Sequence, residues 1–324
     1  MRRPAPTHAS FSSVVLIAGL TSLILTGVGA PSALPQFRPS HSDEDINAIG
    51  HRNLSKAVNF YSPAREKALG GQLAREVERS SQMINDPVVS EYLNRIAQTI
   101  AKNSDAKFAI TVHVIDSNEI NAFTLPGGYQ YLDRGLILAT ESEAELAGVL
   151  SFGVAHTALR SGTMQATKGE LMQLSSIPAM VFTTYTWAGF AKYQSLNMAI
   201  PLTLLKFSRD AVSAADFYGV QYLYKAGYSP EAYPQLLERA SAKPAPSGNV
   251  PDTFSRFPPL PERLKATREE IAGLLPPRGD ATVSSPEYET IKDRLRAWHP
   301  EDSSVPATPT ERPTLRKPAA PSNL

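Results

Sequence analysis

The side chains that could carry chemistry in this chain are few, and their spacing restricts that chemistry. The sequence contains six histidines and no cysteine. A thiol nucleophile, a disulfide framework and a thiolate metal site are therefore excluded, so any metal would need His, Asp or Glu ligands. His156 lies on a predicted long helix, where a lone histidine is more often a hydrogen-bonded core residue than a metal ligand. The other five lack the spacing of metal ligands: His8, His41, His51, His113 and His299.

Charge and composition exclude one class of partner. The 324 residues include 32 Lys and Arg against 31 Asp and Glu, which leaves a formal net charge of +1. A nucleic-acid-binding protein normally carries a basic surface that neutralises phosphate, so we expect no nucleic-acid partner. With 42% hydrophobic residues, the chain can bury a core.

Residues 1–33 are predicted to be a signal peptide or an N-terminal membrane anchor. Two arginines precede an apolar stretch, residues 14–28, which small residues follow. Cleavage is expected after Ala30 or Ala33, and an uncleaved anchor is the alternative because Pro31 follows the first of these. Either way we expect an exported protein, in the periplasm or anchored in a membrane and facing the periplasm.

The other end of the chain is rich in proline. Residues 299–324 mix proline with Ser, Thr, Ala and charged residues, which predicts a disordered tail. One folded domain, residues 45–298, remains between the two ends.

Helix-capping residues and a turn motif predict the first helices and strands of this domain. Ser62-Pro63 and Asp86-Pro87 each put a capping side chain before a proline, which predicts two helices. Residues 108–114 alternate with period two, and two short apolar runs flank the turn Pro126-Gly127-Gly128. A small sheet of about three strands is therefore predicted.

Helices dominate the rest of the domain. A capping box at residues 140–143 begins a long helix that is predicted to reach about Arg160. The fold class is therefore α+β, with a small sheet on a mainly helical body. Later helices are predicted over 208–226, 229–240, 261–275 and 286–298.

Several short motifs follow one another in a specific order. They are Asn59-Phe60-Tyr61-Ser62, Asn121 to Tyr129, Gly135-Leu136-Ile137, Glu143 to Leu150, Ser208-Arg209, Ala215-Asp216 and Ala226-Gly227-Tyr228. Their order resembles the HtpX, Ste-type and BepA-type family of zinc metallopeptidases, in its exported bacterial branch, from about Asn59 to Arg296. The resemblance implies a mainly helical, zincin-like metallopeptidase domain.

The chemistry implied by this resemblance needs zinc with three protein ligands, an open position for water, and a carboxylate beside that water. The family places two histidine ligands and a glutamate base in H-E-x-x-H on the long helix. That motif falls on Phe152 to His156, so Phe152 replaces the first ligand and Gly153 replaces the general base. Only His156 of the three is retained.

Some of the other family positions are replaced and others are retained. Two glutamates of a later helix fall on Val212 and Ala214, and a further family histidine falls on Phe257, whereas Asp216 and Arg263 are retained. With these positions replaced, we expect no catalytic residue, no metal ligand and no cofactor, although active relatives use zinc. Asp216 could pair with His156, Arg160 or Arg209.

The replacements are apolar, which suggests that they fill the former zinc cavity. A chance substitution in a working site would more often leave buried polar groups without partners, which is costly. We expect Phe152 and Phe257 to occupy the space of metal, water and imidazole.

Two further segments have competing interpretations. Asn121, Ala122 and Phe123 lie on a segment that can hold an extended peptide by strand addition in the family, but the segment also reads as an ordinary hairpin. Residues 171–191 lack charged side chains but contain several Ser and Thr residues. They could cover the former cleft or contact a membrane surface, and a membrane span is the minority interpretation.

Three functions remain open at this point. The first is a non-catalytic envelope protein, a pseudopeptidase that binds or regulates proteins in quality control. The second is an active zinc metalloendopeptidase with atypical ligands, for which no motif supplies a carboxylate. The third is a structural, membrane-tethered protein. A protein or peptide partner is expected only for the first two.

Overall fold

The computed structural model describes residues 37–54, 58–176, 207–241 and 259–299, but not the side chains of 169–176. Residues 1–33, Phe257, most of 171–191 and the tail beyond His299 lie outside these ranges, so the domain limits 1–33, 45–298 and 299–324 remain predictions. The helices are α1 (His41–Glu44), α2 (Pro63–Ser80), α3 (Pro87–Lys102), α4 (Arg134–Ala139), α5 (Glu143–Ala158), α6 (Ser161–Ser176), α7 (Arg209–Lys225), α8 (Ala232–Ser241), α9 (Leu260–Leu274) and α10 (Pro286–Arg296).

The sheet has four strands in the order β1-β2-β4-β3, and the predicted α+β class is confirmed. The strands are β1 (Met83–Ile84), β2 (Thr111–Ile115), β3 (Ala122–Leu125) and β4 (Tyr129–Asp133). β2 and β4 are parallel, and the other two pairs are antiparallel. The prediction of about three strands missed β1, because two residues are too few to show alternation.

Each face of the sheet packs against helices. Val112 and Leu132 contribute to the main core together with side chains of α3 and α5. Tyr131 and Leu125, on the other face, join Leu73 and Ala74 of α2 in a second apolar cluster. The alternation of the strands therefore separates two layers of helices.

The long helix α5 is the centre of the domain. All of its 16 residues are buried, including Glu143 and His156. A helix buried on every side has no amphipathic stripe and must be surrounded by other elements. Here those elements include α3, α7, α8 and β3. An added Cβ at Gly219 of α7 would lie 3.2 Å from the Phe152 Cα, so α5 and α7 approach very closely.

The predicted starts of α2 and α3 are confirmed by their caps. The Ser62 side chain accepts a hydrogen bond from the Arg65 N–H, and the Asp86 side chain accepts from Val88 and Val89. The capping box at residues 140–143 predicts a start at Glu141, but α5 begins two residues later, at Glu143, because Ser142 is the residue that caps it.

A buried polar network ties the N-terminal segment to the helices. Arg52 donates to Asp105 through Nε at 2.9 Å and to the Gln221 Oε1 at 2.7 Å. Tyr222 donates to the same Asp105 carboxylate at 2.8 Å. Because each charge has a buried partner, the network satisfies groups that would otherwise be costly to bury.

We predict that Gly128→Ala destabilises the hairpin turn. Gly128 has φ +92°, and an added Cβ would lie 2.4 Å from the Ala109 carbonyl oxygen. Positive φ and a backbone clash together should lower the free energy of unfolding by about 2 kcal/mol or more. Gly273→Ala is the control, because a Cβ there meets nothing within 4 Å and helical alanine is favoured. Urea titration measures the free energy of unfolding of both variants. Equal effects of the two substitutions would contradict the predicted clash at Gly128.

Candidate functional site

The family positions named above meet where α5, α7 and α9 pack together. α5 carries Phe152, Gly153 and His156, and α7 carries Val212, Ala214 and Asp216, while Arg263 lies on α9. All seven residues are buried. Phe257 lies outside the described residues, so its predicted place in the cavity stays a prediction.

His156 lies in an aromatic environment. Its ring stacks on the Phe207 ring at a centroid distance of 3.9 Å and meets the Phe152 ring edge-on at 4.6 Å. Neither ring nitrogen has a hydrogen-bond partner among the described residues. Burial, with a smaller contribution from the Arg263 charge, lowers the pKa of His156 to about 3. The imidazole is therefore neutral at physiological pH.

Phe152 fills the space between His156 and the charged groups of α7 and α9. The side chain is buried, and its ring is stacked with the Tyr233 ring at 6.2 Å. The Arg263 guanidinium carbon lies 5.1 Å from the centre of the Phe152 ring, within cation–π range. The ring therefore has buried neighbours on several sides.

Asp216 pairs with Arg263, and not with His156, Arg160 or Arg209 as the sequence suggested. The guanidinium donates to both carboxylate oxygens, at 2.7 and 2.8 Å, and to the Tyr233 hydroxyl at 2.9 Å. Tyr233 in turn donates to Asp216 at 2.7 Å. This bidentate, closed arrangement satisfies the buried charges. Burial and then the Asp216 charge raise the pKa of the Tyr233 hydroxyl, whereas for Arg263 burial lowers the pKa and the Asp216 charge more than offsets it, so that the pKa is raised.

Gly153 faces the sheet. A Cβ at this position would lie 2.7 Å from the Gln130 Cδ and 2.8 Å from the Thr124 Oγ1. These side chains come from β4 and β3, and both are buried. The position that the sequence resemblance matches to the general base of the family is therefore closed by neighbouring side chains.

The segment considered for peptide binding forms β3, an outer strand of the sheet. Asn121 and Ala122 are buried, whereas Phe123 is half-buried and stacks on the Tyr131 ring at 5.1 Å. The turn that follows has positive φ at Gly127 and Gly128, so the hairpin interpretation of the glycines holds. Peptide binding at Asn121, Ala122 and Phe123 stays a prediction.

Sequence reasoning missed three residues of the site. Phe207 stacks on His156, Tyr233 bonds the Asp216–Arg263 pair, and Gln130 closes the space beside Gly153. None of them lies in a motif with a metal or catalytic spacing. Gln130 alone carried a signal, because a long polar side chain in an apolar strand run is unusual for a buried position.

Comparison with known proteins identifies the family. Residues 87–271, more than half of the chain, match the sequence model of peptidase family M48. The chain belongs to this family. It is also 24% identical over 303 residues to the beta-barrel assembly-enhancing protease of Yersinia pestis, covering 88% of this chain and 58% of that protein.

Two more relatives extend the comparison. The putative beta-barrel assembly-enhancing protease of Vibrio cholerae is 28% identical over 227 residues, 66% of this chain and 45% of that protein. The mitochondrial metalloendopeptidase OMA1 of Schizosaccharomyces pombe is 29% identical over 181 residues, 56% of this chain and 51% of that protein. The chain therefore spans about half the length of the curated relatives it matches.

The expectation that no cofactor belongs to this protein is wrong. Family M48 and the relatives named as metalloendopeptidases are zinc metalloproteases, so zinc is the cofactor of the family to which the chain belongs. Across residues 37–54, 58–176, 207–241 and 259–299, no three His, Cys, Asp or Glu side chains form a group that could hold a metal ion. The donors described at this site do not fit zinc, because zinc is normally held by three or four N, O or S ligands.

Among the helices described, none combines the length and the apolar character that crossing a membrane requires.

We predict that Arg263→Met strongly destabilises the protein, because it leaves the Asp216 carboxylate buried without its cationic partner. Breaking a buried ion pair in this way should cost about 3 to 5 kcal/mol. The matched control on the same helix is Arg268→Met. Arg268 donates to Glu238 at the same 2.7 Å, but both side chains are about half exposed. An exposed pair contributes roughly 0 to 1 kcal/mol.

Urea titrations of the parent and the two arginine variants measure this difference. Equal losses at the two positions would show that the Asp216–Arg263 pair is not a buried structural contact.

We predict that His156 makes the folded state less stable in acid. In the unfolded chain a histidine titrates near pH 6.5, whereas folded His156 takes up a proton only near pH 3. The unfolded state therefore binds more protons between these values, and stability falls as pH falls below 6.5. From pH 7 to 5 the parent should lose about 2 kcal/mol more than His156→Leu.

Urea titrations at the two pH values measure that loss, with His41→Asn as the control for removing an exposed histidine. The same pH dependence in the parent and in His156→Leu would contradict the burial of a neutral imidazole.

Proposed function

We propose that this chain is a non-catalytic member of family M48 that binds or regulates other proteins in the bacterial cell envelope. The observation that carries the proposal is Gly153, which stands where the family has the glutamate that activates water. Losing a general base typically slows a reaction by about 10² to 10⁴. Gly153 offers no group that could take a proton.

The surroundings of His156 support the same proposal. A catalytic imidazole or metal ligand needs access to substrate, water or an ion, but the buried His156 ring stacks on the Phe207 ring and makes a T-shaped contact with the Phe152 ring. Asp216, the nearest retained acidic position, is engaged by Arg263 and Tyr233. These contacts favour a packed interior over a reaction site.

The retained parts of the domain support a binding role. The buried Asp216–Arg263 pair, the α5–α7 contact and the hairpin of β3 and β4 keep the scaffold of the family in place. An outer strand such as β3 is a place where an extended polypeptide can add to a sheet. Phe123 is the one residue of β3 that is not fully buried, so it is the position of this strand at which a crosslinker can be placed with the least disturbance of the core.

The class of partner is taken from the relatives. Two of them are named as beta-barrel assembly-enhancing proteases, which points to barrel-forming outer-membrane proteins. Residues 1–33, with the pattern of an export signal or anchor, would deliver the domain to the same compartment. An exported protein that recognises unfolded barrel proteins unites these features.

We predict that the purified chain, incubated with zinc, does not cleave casein, because position 153 supplies no base. Gel electrophoresis and release of a fluorescent label measure the cleavage. His156→Ala is the control for a contaminating protease. Casein cleavage by the parent that disappears in His156→Ala would contradict the proposal.

We predict that a photocrosslinker at position 123 captures a urea-unfolded outer-membrane β-barrel protein upon dilution. The same crosslinker at Val88, an exposed residue at the start of α3, serves as the control position. Capture at 123 and not at 88 is expected for strand addition to β3. Equal capture at both positions, or capture at neither, would contradict binding at this strand.

A further inference from the structure

The missing side chain at position 153 leaves no empty space. Two polar side chains lie where the Cβ atom of a larger residue would be. A Cβ built on Gly153 would lie 2.7 Å from Cδ and 2.8 Å from Nε2 of the Gln130 amide. It would also lie 2.8 Å from the Thr124 hydroxyl oxygen. Real Cβ atoms essentially never approach other heavy atoms this closely. Any residue larger than glycine would therefore have to move these groups.

The strand register places these two groups together. Gln130 of β4 is paired with Thr124 of β3 on one side and with Val112 of β2 on the other. Side chains of one face recur at every second residue, so Leu132 and Ala122 share the face of Gln130 and Thr124. These neighbours are apolar and belong to the main core. The two polar side chains therefore occur in an apolar layer at the place where it meets Gly153.

Within the described part of the chain, the Gln130 side chain has one recorded hydrogen bond, and it is long. Gln130 is 2% exposed, and its Nε2 donates to the Leu150 carbonyl oxygen at 3.4 Å, which is long for such a bond. A buried amide that is poorly bonded is unfavourable. Its close fit against the backbone of α5 at Gly153 is the contact that explains its place, because filling space in a packed core is favourable.

We propose that Gln130 and Thr124 fill the general-base position, so that glycine at 153 and glutamine at 130 depend on each other. A carboxylate side chain at 153 fits only after Gln130 is shortened. The inference rests on the proposed function, because it treats 153 as the position of the lost base. It adds that Gly153→Glu alone would have to displace both the flexible end of Gln130 and the short Thr124 side chain before a carboxylate could stand at this position.

Thermal unfolding of a set of variants tests this dependence. Gly153→Ala is placed in the parent and in a background with Thr124→Ala and Gln130→Ala. In the parent the added methyl group should lower the unfolding midpoint by about 3 to 10 °C, because overpacking is destabilising. In the shortened background it should raise the midpoint by about 1 to 4 °C, since alanine is preferred to glycine within a helix.

The control substitution is Gly148→Ala on the same helix. Its Cβ would lie 3.1 Å from Tyr233 and far from the sheet contact, so its effect should be the same in both backgrounds. Gln130→Ala alone provides a milder background if the double change does not fold. There the cost of Gly153→Ala should fall, because the amide has gone.

Gly153→Gln extends the test to a side chain with the size of glutamate and without its charge. Gly153→Gln should fold cooperatively in the shortened background. The same substitution should give a less stable protein when it is made in the parent. Equal shifts of Gly153→Ala in all backgrounds would overturn the inference. Because no step of this test measures peptide cleavage, its outcome is independent of whether the parent protein cuts casein.

Discussion

The burial of α5 on every side is the constraint on which the rest of the structure depends. A helix without a solvent-facing stripe is held only by the elements around it, so each of its side chains must match a neighbour in volume and polarity. The residues at family site positions obey this rule. Phe152 and His156 meet aromatic rings, and Gly153 admits side chains from the sheet. A change in chemistry at one position on this helix therefore requires changes around it.

The polar contacts of the same region divide into two kinds. The Asp216–Arg263 pair, closed by Tyr233, is fully bonded and links α7 to α9 and α8. His156 is also buried, but its ring nitrogens lack partners among the described residues and its pKa is low. The Asp216–Arg263 pair stabilises the packing of these helices, whereas His156 is a polar side chain in an apolar environment. Together they describe a family M48 domain in which a closed, buried ion pair links the helices near a buried, neutral imidazole.

Local signals in the sequence were sufficient for much of this fold. The caps at Ser62 and Asp86 and the glycine turn at residues 127 and 128 act within a few residues, and the structure has each of them. The partner of Asp216 was predicted wrongly. Arg263 is 47 residues away, and the packing of the helices determines which arginine lies next to Asp216. Gln130 was missed for the same reason, since its role exists only when β4 lies against α5.

The most direct measurement of the central claim is intact-mass spectrometry of an unfolded outer-membrane β-barrel protein after prolonged incubation with this chain and excess zinc. If the chain is non-catalytic, the mass of the barrel protein stays unchanged and no fragments form. Fragments with defined new termini, formed by the parent chain and absent when His156 is replaced by alanine, would contradict it.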